Sequence, residues 1–449
     1  MGSERAALWF AALLLLVAGP ANAILPIQHW QTGGGAQVYF VENHDLPMVD
    51  LSVEFPAGAA FDSKEKSGAA SMTQRLLSLG ADGMNEDEIA RGFADVGAQL
   101  SGSFDTDRAG LSMRTLSSRE ERGRALEIFS RLLQHPVFPE NVLEREKARL
   151  VAALKEADTK PDTIASREFY RLVYRDHPYA LRSTGEVATV QRLTRQDLVD
   201  FHRRHYLAPR AVVALVGDLS REEAARIAEQ VTAGLPRDGG GALDLPPVSP
   251  LPSAETHFIA HPATQSHIMI GAPGITRHDL DYFPLVVGNH ILGGGGFVSR
   301  LIEEVRTKRG LAYSVYSYFQ PLQRRGPFLI GMQTQREQAQ KALDVVRATL
   351  REFVARGPTE DELTAAKKNI IGGFPLRIDS NRDIHGYLAI IGFYRLPLTY
   401  LDDYVKNVEK VTVADIKDAF ARRIDPERMA TVVVAAVQDK TAASPAAAH

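Results

Sequence analysis

Arg306 and Tyr313 stand seven residues apart in the stretch LGGGGFVSRLIEEVRTKRGLAYSVYSY, residues 292–318. A guanidinium brings a planar fork of N–H donors and a phenol adds one O–H donor, so the pair can converge on one oxygen if the backbone aims both at the same point. The elements that must do the aiming are legible. Residues 293–296 form a glycine hinge, and a helix is expected over about 297–309, with Phe297, Leu301, Ile302 and Val305 at helical spacing. It stops at Gly310 and a strand comes next. Arg306 then leaves the last helical turn, and alternation places Leu311, Tyr313 and Val315 on one strand face.

The block R-T-K-R-G-L-A-Y-S-V, with the glycine run and helix before it, resembles the C-terminal domains of the pitrilysin/insulinase family of zinc metallopeptidases. The resemblance implies that Arg306 and Tyr313 bind substrate. It also implies an inverted zinc motif, His-x-x-Glu-His, on the first long helix. That spacing puts two imidazoles and a general-base carboxylate on one face, and a Glu on a later helix completes the metal site. The matching helix here reads GAASMTQRLL over 68–77: Ser71 and Arg75 stand at the two His positions and Gln74 at the base. Ala153, seven residues after Glu146, falls at the third ligand. Ser71 is a weak neutral ligand, Gln74 cannot take a proton from water, Ala153 has no donor atom and Arg75 is a permanent cation. The expectation is a chain with no metal ligand, no catalytic residue and no cofactor of its own.

No other motif replaces the lost one. Of the 13 histidines, His202 and His205 lie three apart on an expected helix, but flanking arginines oppose a metal and a packing role is the reading. His257, His261 and His267 fall on or beside strands without a carboxylate partner and receive no function. The chain has no cysteine, no G-x-S-x-G and no P-loop.

Residues 1–23 read as an export signal: Arg5, an apolar run over 6–18, a Gly19-Pro20 break, then Ala21-Asn22-Ala23 before a cut. The run is shorter than the ~20 residues that span a bilayer, so cleavage is expected, leaving no membrane span. Lys+Arg 52 against Asp+Glu 55 gives no reason to expect a nucleic-acid partner. Residues 236–255 hold five prolines and three glycines and read as an extended linker with a flexible start. A low-complexity tail is expected over 439–449.

The parts on either side, 24–235 and 256–438, repeat one another. Leu143 and Lys147 recur as Leu363 and Lys367, and Thr194 with Asp197 recurs as Thr412 with Asp415, each a near capping box. Each half closes on an apolar strand, at 212–216 and at 432–437. In the first half, strands at 37–42 and 49–55 precede helices at 67–79 and 87–96, strands at 99–104 and 110–115, and a helical region to 174. The fold class is α+β: two similar domains, each an antiparallel-rich sheet with helices packed on one side. What the resemblance implies is a non-catalytic, substrate-binding subunit of a periplasmic heterodimeric zinc peptidase acting on unfolded peptides. A homologous partner would hold the zinc, and the halves would be able to hinge as a clamshell. The alternative is a structural core-type subunit without a peptidase role.

Overall fold

The structure is a computed structural model that describes residues 26–238, 241 and 243–436. The expected export signal and tail lie outside the described residues. The first half contributes β1 (Gln28–Gln31), β2 (Gln37–Glu42), β3 (Met48–Phe55), the two-residue strands β4 (Gly80–Ala81) and β5 (Met84–Asn85), β6 (Gln99–Phe104), β7 (Ala109–Leu116) and β8 (Val212–Gly217). The second contributes β9 (Glu255–Ala260), β10 (Gln265–Pro273), β11 (Ala312–Phe319), β12 (Pro327–Gln335) and β13 (Ala430–Ala435). One sheet has the order β1-β2-β8-β3-β7-β6 and the other β11-β12-β10-β13-β9. Without β1 the two orders superimpose: β8 and β13 are the matching closing strands, each with one parallel neighbour, β2 or β9. Both closing strands are apolar because they lie inside their sheets, and β8 is buried along its whole length. Thr194 and Thr412 both cap their helices in the expected boxes with Asp197 and Asp415.

Five helices position the candidate site and the seam between the halves: α1 (Ala69–Leu76), α2 (Glu140–Ala157), α3 (Pro161–Tyr174), α4 (Tyr282–Asn289) and α5 (Asn381–Phe393). Besides the helices of its own half, each sheet receives one helix from the other half. Helix α3 lies on β10 and β13, and α5 lies on β8, β3 and β2. Glycine makes both approaches close. A Cβ at Gly271 of β10 would come within 2.9 Å of the Phe169 ring, and one at Gly392 of α5 within 2.6 Å of Val212.

The exchange makes one hydrophobic core continuous across the halves, with Tyr39, Val212 and Ala214 packed among second-half residues such as Ile270, Leu388 and Ile391. Buried Asp107 pins the same seam. It accepts hydrogen bonds from the Tyr179 hydroxyl at 2.7 Å, the Gln323 amide at 2.7 Å and the Tyr394 hydroxyl at 2.9 Å. The linker is also tied down once past its glycines: Leu245 and Leu251 are buried, and Pro246 O accepts from His177 Nε2 at 3.0 Å. The expectation that the halves hinge about the linker is therefore revised: opening them would break one shared core.

Candidate functional site

The chain between α4 and β11 departs from the regular helix expected over 297–309. It runs through a π-helical turn (His290–Gly294), a 3-10 turn (Gly296–Val298) and a second π-helical segment (Ile302–Thr307). Close approach explains the first glycine of the run: a Cβ at Gly293 would come within 2.4 Å of Ser317 Oγ on β11. The second π segment ends with Leu311 N–H donating to Val305 O at 2.9 Å, and Gly310 takes the left-handed φ of 61° that stops it.

Tyr313 is not on the face that alternation gave it. The pairing of β11 with β12 slips between Ala312, opposite Thr334, and Ser314, opposite Gln333, so Tyr313 is the extra residue of a β-bulge. Leu311 and Val315 are 3% and 1% exposed, while Tyr313 is 76% exposed. The bulge turns the tyrosine outward, toward the arginine. Arg306 Cζ lies 5.1 Å from the centre of the Tyr313 ring and 5.2 Å from that of Phe297, whose ring is also 76% exposed. The guanidinium is thus flanked by two aromatic rings, and its N–H groups meet no hydrogen-bond or ion-pair partner among the described residues. Aromatic neighbours take no hydrogen bond from it, so its N–H donors are left for a ligand. Arg306 and Tyr313 are brought together as the spacing required, but by a π turn and a bulge. Phe297 is the member that sequence reasoning entered only as an apolar helix residue. The signal was available: a large aromatic directly after four glycines has little helix of its own to bury in.

Strand β11 is also an edge strand, with β12 on one side only. Beyond Tyr313 its outer surface carries Tyr316, and Tyr316 stacks on Tyr318 with ring centres 6.1 Å apart. An open edge with unpaired backbone groups and flat rings along it suits an extended peptide.

The positions that the zinc motif would occupy carry different chemistry. On α1, Ser71 Oγ donates to Gly68 O at 3.2 Å and Gln74 Nε2 donates to Gly110 O at 3.3 Å. Arg75 Nε donates to Glu146 Oε2 on α2 at 2.5 Å, and the other oxygen accepts from Arg145 Nε at 3.0 Å and Arg149 Nη1 at 2.7 Å. The Glu146 side chain is only 1% exposed. Burial alone would raise its pKa, but hydrogen bonds from Arg75 and Arg145, with the charges of Arg75 and Arg149, outweigh it and hold the carboxyl below its ordinary range. Ala153 lies exposed on α2. Three guanidiniums around one carboxylate cannot take a Zn²⁺ ion, so a zinc does not fit these residues. Among the described residues no group of three His, Cys, Asp or Glu is placed to hold a metal.

His202 and His205 serve packing. Their Nε2 and Nδ1 atoms meet Leu133 O at 3.0 Å and Pro56 O at 3.1 Å, and burial pushes both pKa values down to about 4. His257 does have carboxylate partners: Nδ1 is 2.6 Å from Glu168 of α3 and Nε2 is 2.9 Å from Glu255. Glu168 reaches it only because α3 crosses onto the second sheet. His261 Nε2 meets Thr159 O at 2.9 Å.

Comparison with known proteins gives two successive family matches, the second of which begins before the linker. Residues 37–185 match the family model described as insulinase (peptidase family M16), and residues 192–370 match the peptidase M16 inactive domain. A solved structure described as a peptidase M16 inactive domain from Pseudomonas fluorescens is 38% identical, with a TM-score of 0.88 over 92% of this chain and 98% of that one. A Helicobacter pylori protein named "Non-peptidase homolog YmxG" is 27% identical over 85% of this chain and 87% of its own. A Streptomyces coelicolor protein named as an uncharacterized zinc protease is 26% identical over 86% and 84%.

Proposed function

This chain belongs to the M16 (insulinase) family of peptidases, and from that premise we propose that it is the non-catalytic, substrate-binding subunit of an exported heterodimeric zinc peptidase. The observation that carries the reading is a contrast between its two halves. The metal positions of the first half have become an arginine–glutamate cluster, while the second half keeps Arg306 and Tyr313 together, exposed and without an internal ligand. A purely structural subunit gives no reason to hold an unpaired guanidinium between two solvent-facing rings. The Pseudomonas and Helicobacter names, an inactive domain and a non-peptidase homolog, support a chain that does not cleave peptides by itself.

In this reading a homologous partner holds the zinc and the general base, and an unfolded peptide lies extended along β11. Arg306 donates to a substrate carbonyl. Tyr313 donates its O–H to the carbonyl oxygen that gains negative charge as the peptide bond is attacked. Donors placed where charge develops are worth ~3 to 4 kcal/mol each when removed. The export signal read at 1–23 puts the complex in the periplasm. Among the described residues no helix is long and apolar enough to cross a membrane. Affinity purification of the mature chain from its own cells, followed by zinc analysis, tests the assignment. A co-purifying M16 relative that carries the zinc supports it, and stoichiometric zinc on this chain alone overturns it.

A further inference from the structure

We infer that the seam between the two halves holds a second binding site, for a small organic molecule carrying a doubly charged oxyanion. A cavity of about 460 Å³ opens there, within the range of small-molecule sites. Its guanidiniums come from both sides, Arg210 from the first half and Arg395 from the second, and the imidazole of His278 lines it beside them. Among the described residues no carboxylate lines it.

Arg210 is half-buried without an acidic partner among the described residues, and Arg395 and His278 face the cavity from exposed positions. Arg210 donates only to backbone carbonyls, to Arg204 O at 2.9 Å and to Gly241 O. Burial and the neighbouring charge of Arg204 press its pKa down, the mark of a guanidinium without a counter-ion. The side chains of Arg395 and His278 make no hydrogen bond or ion pair among the described residues. In the same region Arg422 and Arg423 are paired with Asp281, and Arg324 with Asp244. Arg395 also holds a left-handed φ of 51°, a conformation unfavourable for a residue that bears a side chain. A cation just past the end of α5 suits the helix dipole, which accounts for one of the two guanidiniums. Arg210 and His278, from other elements, remain to be explained.

The rest of the lining sets the ligand class. The amides of Gln37 and Gln323 add polar contacts, and Val212 with Phe393 supplies an apolar wall. Two guanidiniums on opposite sides ask for more than one oxygen, which a phosphate monoester or a dicarboxylate provides. The apolar wall asks for a carbon body attached to it. Such a ligand would bridge first-half and second-half residues and add to the contacts that close the seam.

The test is isothermal titration of the full mature chain with phenyl phosphate, succinate, inorganic phosphate and neutral benzyl alcohol at matched ionic strength. Binding of phenyl phosphate or succinate with Kd below about 1 mM is expected. Which of the two binds tells a phosphate ester from a dicarboxylate, and stronger binding of phenyl phosphate than of inorganic phosphate reports the apolar wall. Arg395→Asn, chosen because Asn tolerates the left-handed backbone, and Arg210→Gln should each weaken binding about tenfold. Arg351→Gln, at an exposed pair with Glu427, should not. Unchanged circular dichroism and Tm of the unliganded variants tie the loss to the site. The proposal is overturned if no dianion binds at millimolar concentration, if benzyl alcohol binds equally well, or if the two cavity variants bind like the Arg351 control. None of these outcomes depends on peptidase activity, so the subunit reading stands or falls separately.

Discussion

Replacing Asp107 with alanine should loosen the join between the halves more than it loosens either half. The carboxylate is fully buried and takes three hydrogen bonds, two of them from second-half groups, Gln323 N–H and Tyr394 O–H. Burial pushes its pKa up, and the bonds from Tyr179, Gln323 and Tyr394 offset only part of that, so the three bonds cannot simply be summed. What decides the magnitude is the donors left behind. Each unpaired buried donor costs ~1 to 3 kcal/mol, and partial entry of water brings the expected loss for Asp107→Ala to ~3 to 5 kcal/mol. Asp107→Asn keeps one acceptor and should lose about half of that. Urea unfolding can read this in two signals, because Trp30 is the one tryptophan among the described residues and reports the first half, whereas far-ultraviolet circular dichroism reports both. The two curves should coincide in the wild type; in Asp107→Ala both midpoints should fall and the curves should separate. A loss under ~1 kcal/mol with coincident curves would refute the seam as described.

Individual residues give three further tests. Asp62 accepts the Gly68 and Ala70 N–H groups at the start of α1, and burial raises it from 3.8 to about 7 despite those bonds. Its folded value lies above its unfolded one, so its contribution is complete below pH 4 and is lost as pH rises through 7, by ~4 kcal/mol at most. The difference in urea midpoint between wild type and Asp62→Asn should therefore change across pH 4 to 7. Phe297→Ala removes one ring beside Arg306, a stack worth ~0.5 to 1 kcal/mol, and should lower kcat/KM of the assembled peptidase about two- to fivefold without altering assembly. The fourfold variant Ser71→His, Gln74→Glu, Arg75→His and Ala153→Glu should bind zinc by metal analysis where the wild type does not, since α1 and α2 already face each other through Arg75 and Glu146.

The repeat, the α+β class and the changed residue types at the metal positions were legible because each is written in local pattern: offsets of Leu, Lys, Thr and Asp, alternation along strands, and residue types at fixed helical spacing. The Arg306–Tyr313 pairing was legible only as an outcome. Its route was not, because a bulge is one residue too many on β11 relative to β12, a relation between strands that neither strand carries alone. The π turns were hidden for a similar reason: their side chains satisfy helical spacing nearly as well as an α-helix does. The crossing of α3 and α5 depends on small residues, Gly271 and Gly392, whose partners lie more than 100 residues away. The carboxylates around His257 were missed with it, since Glu168 arrives on the crossing helix.

The most direct measurement is peptide cleavage by this chain alone, by the zinc-bearing M16 relative proposed as its partner alone, and by the two mixed, with wild type, Arg306→Ala and Tyr313→Phe compared in the mixture. The free chain should be inactive and the mixture active. Either substitution should reduce kcat/KM by about a hundredfold or more while size-exclusion chromatography shows the same heterodimer. Cleavage by the free chain, or full turnover by a mixture carrying either substitution, would contradict the substrate-binding role.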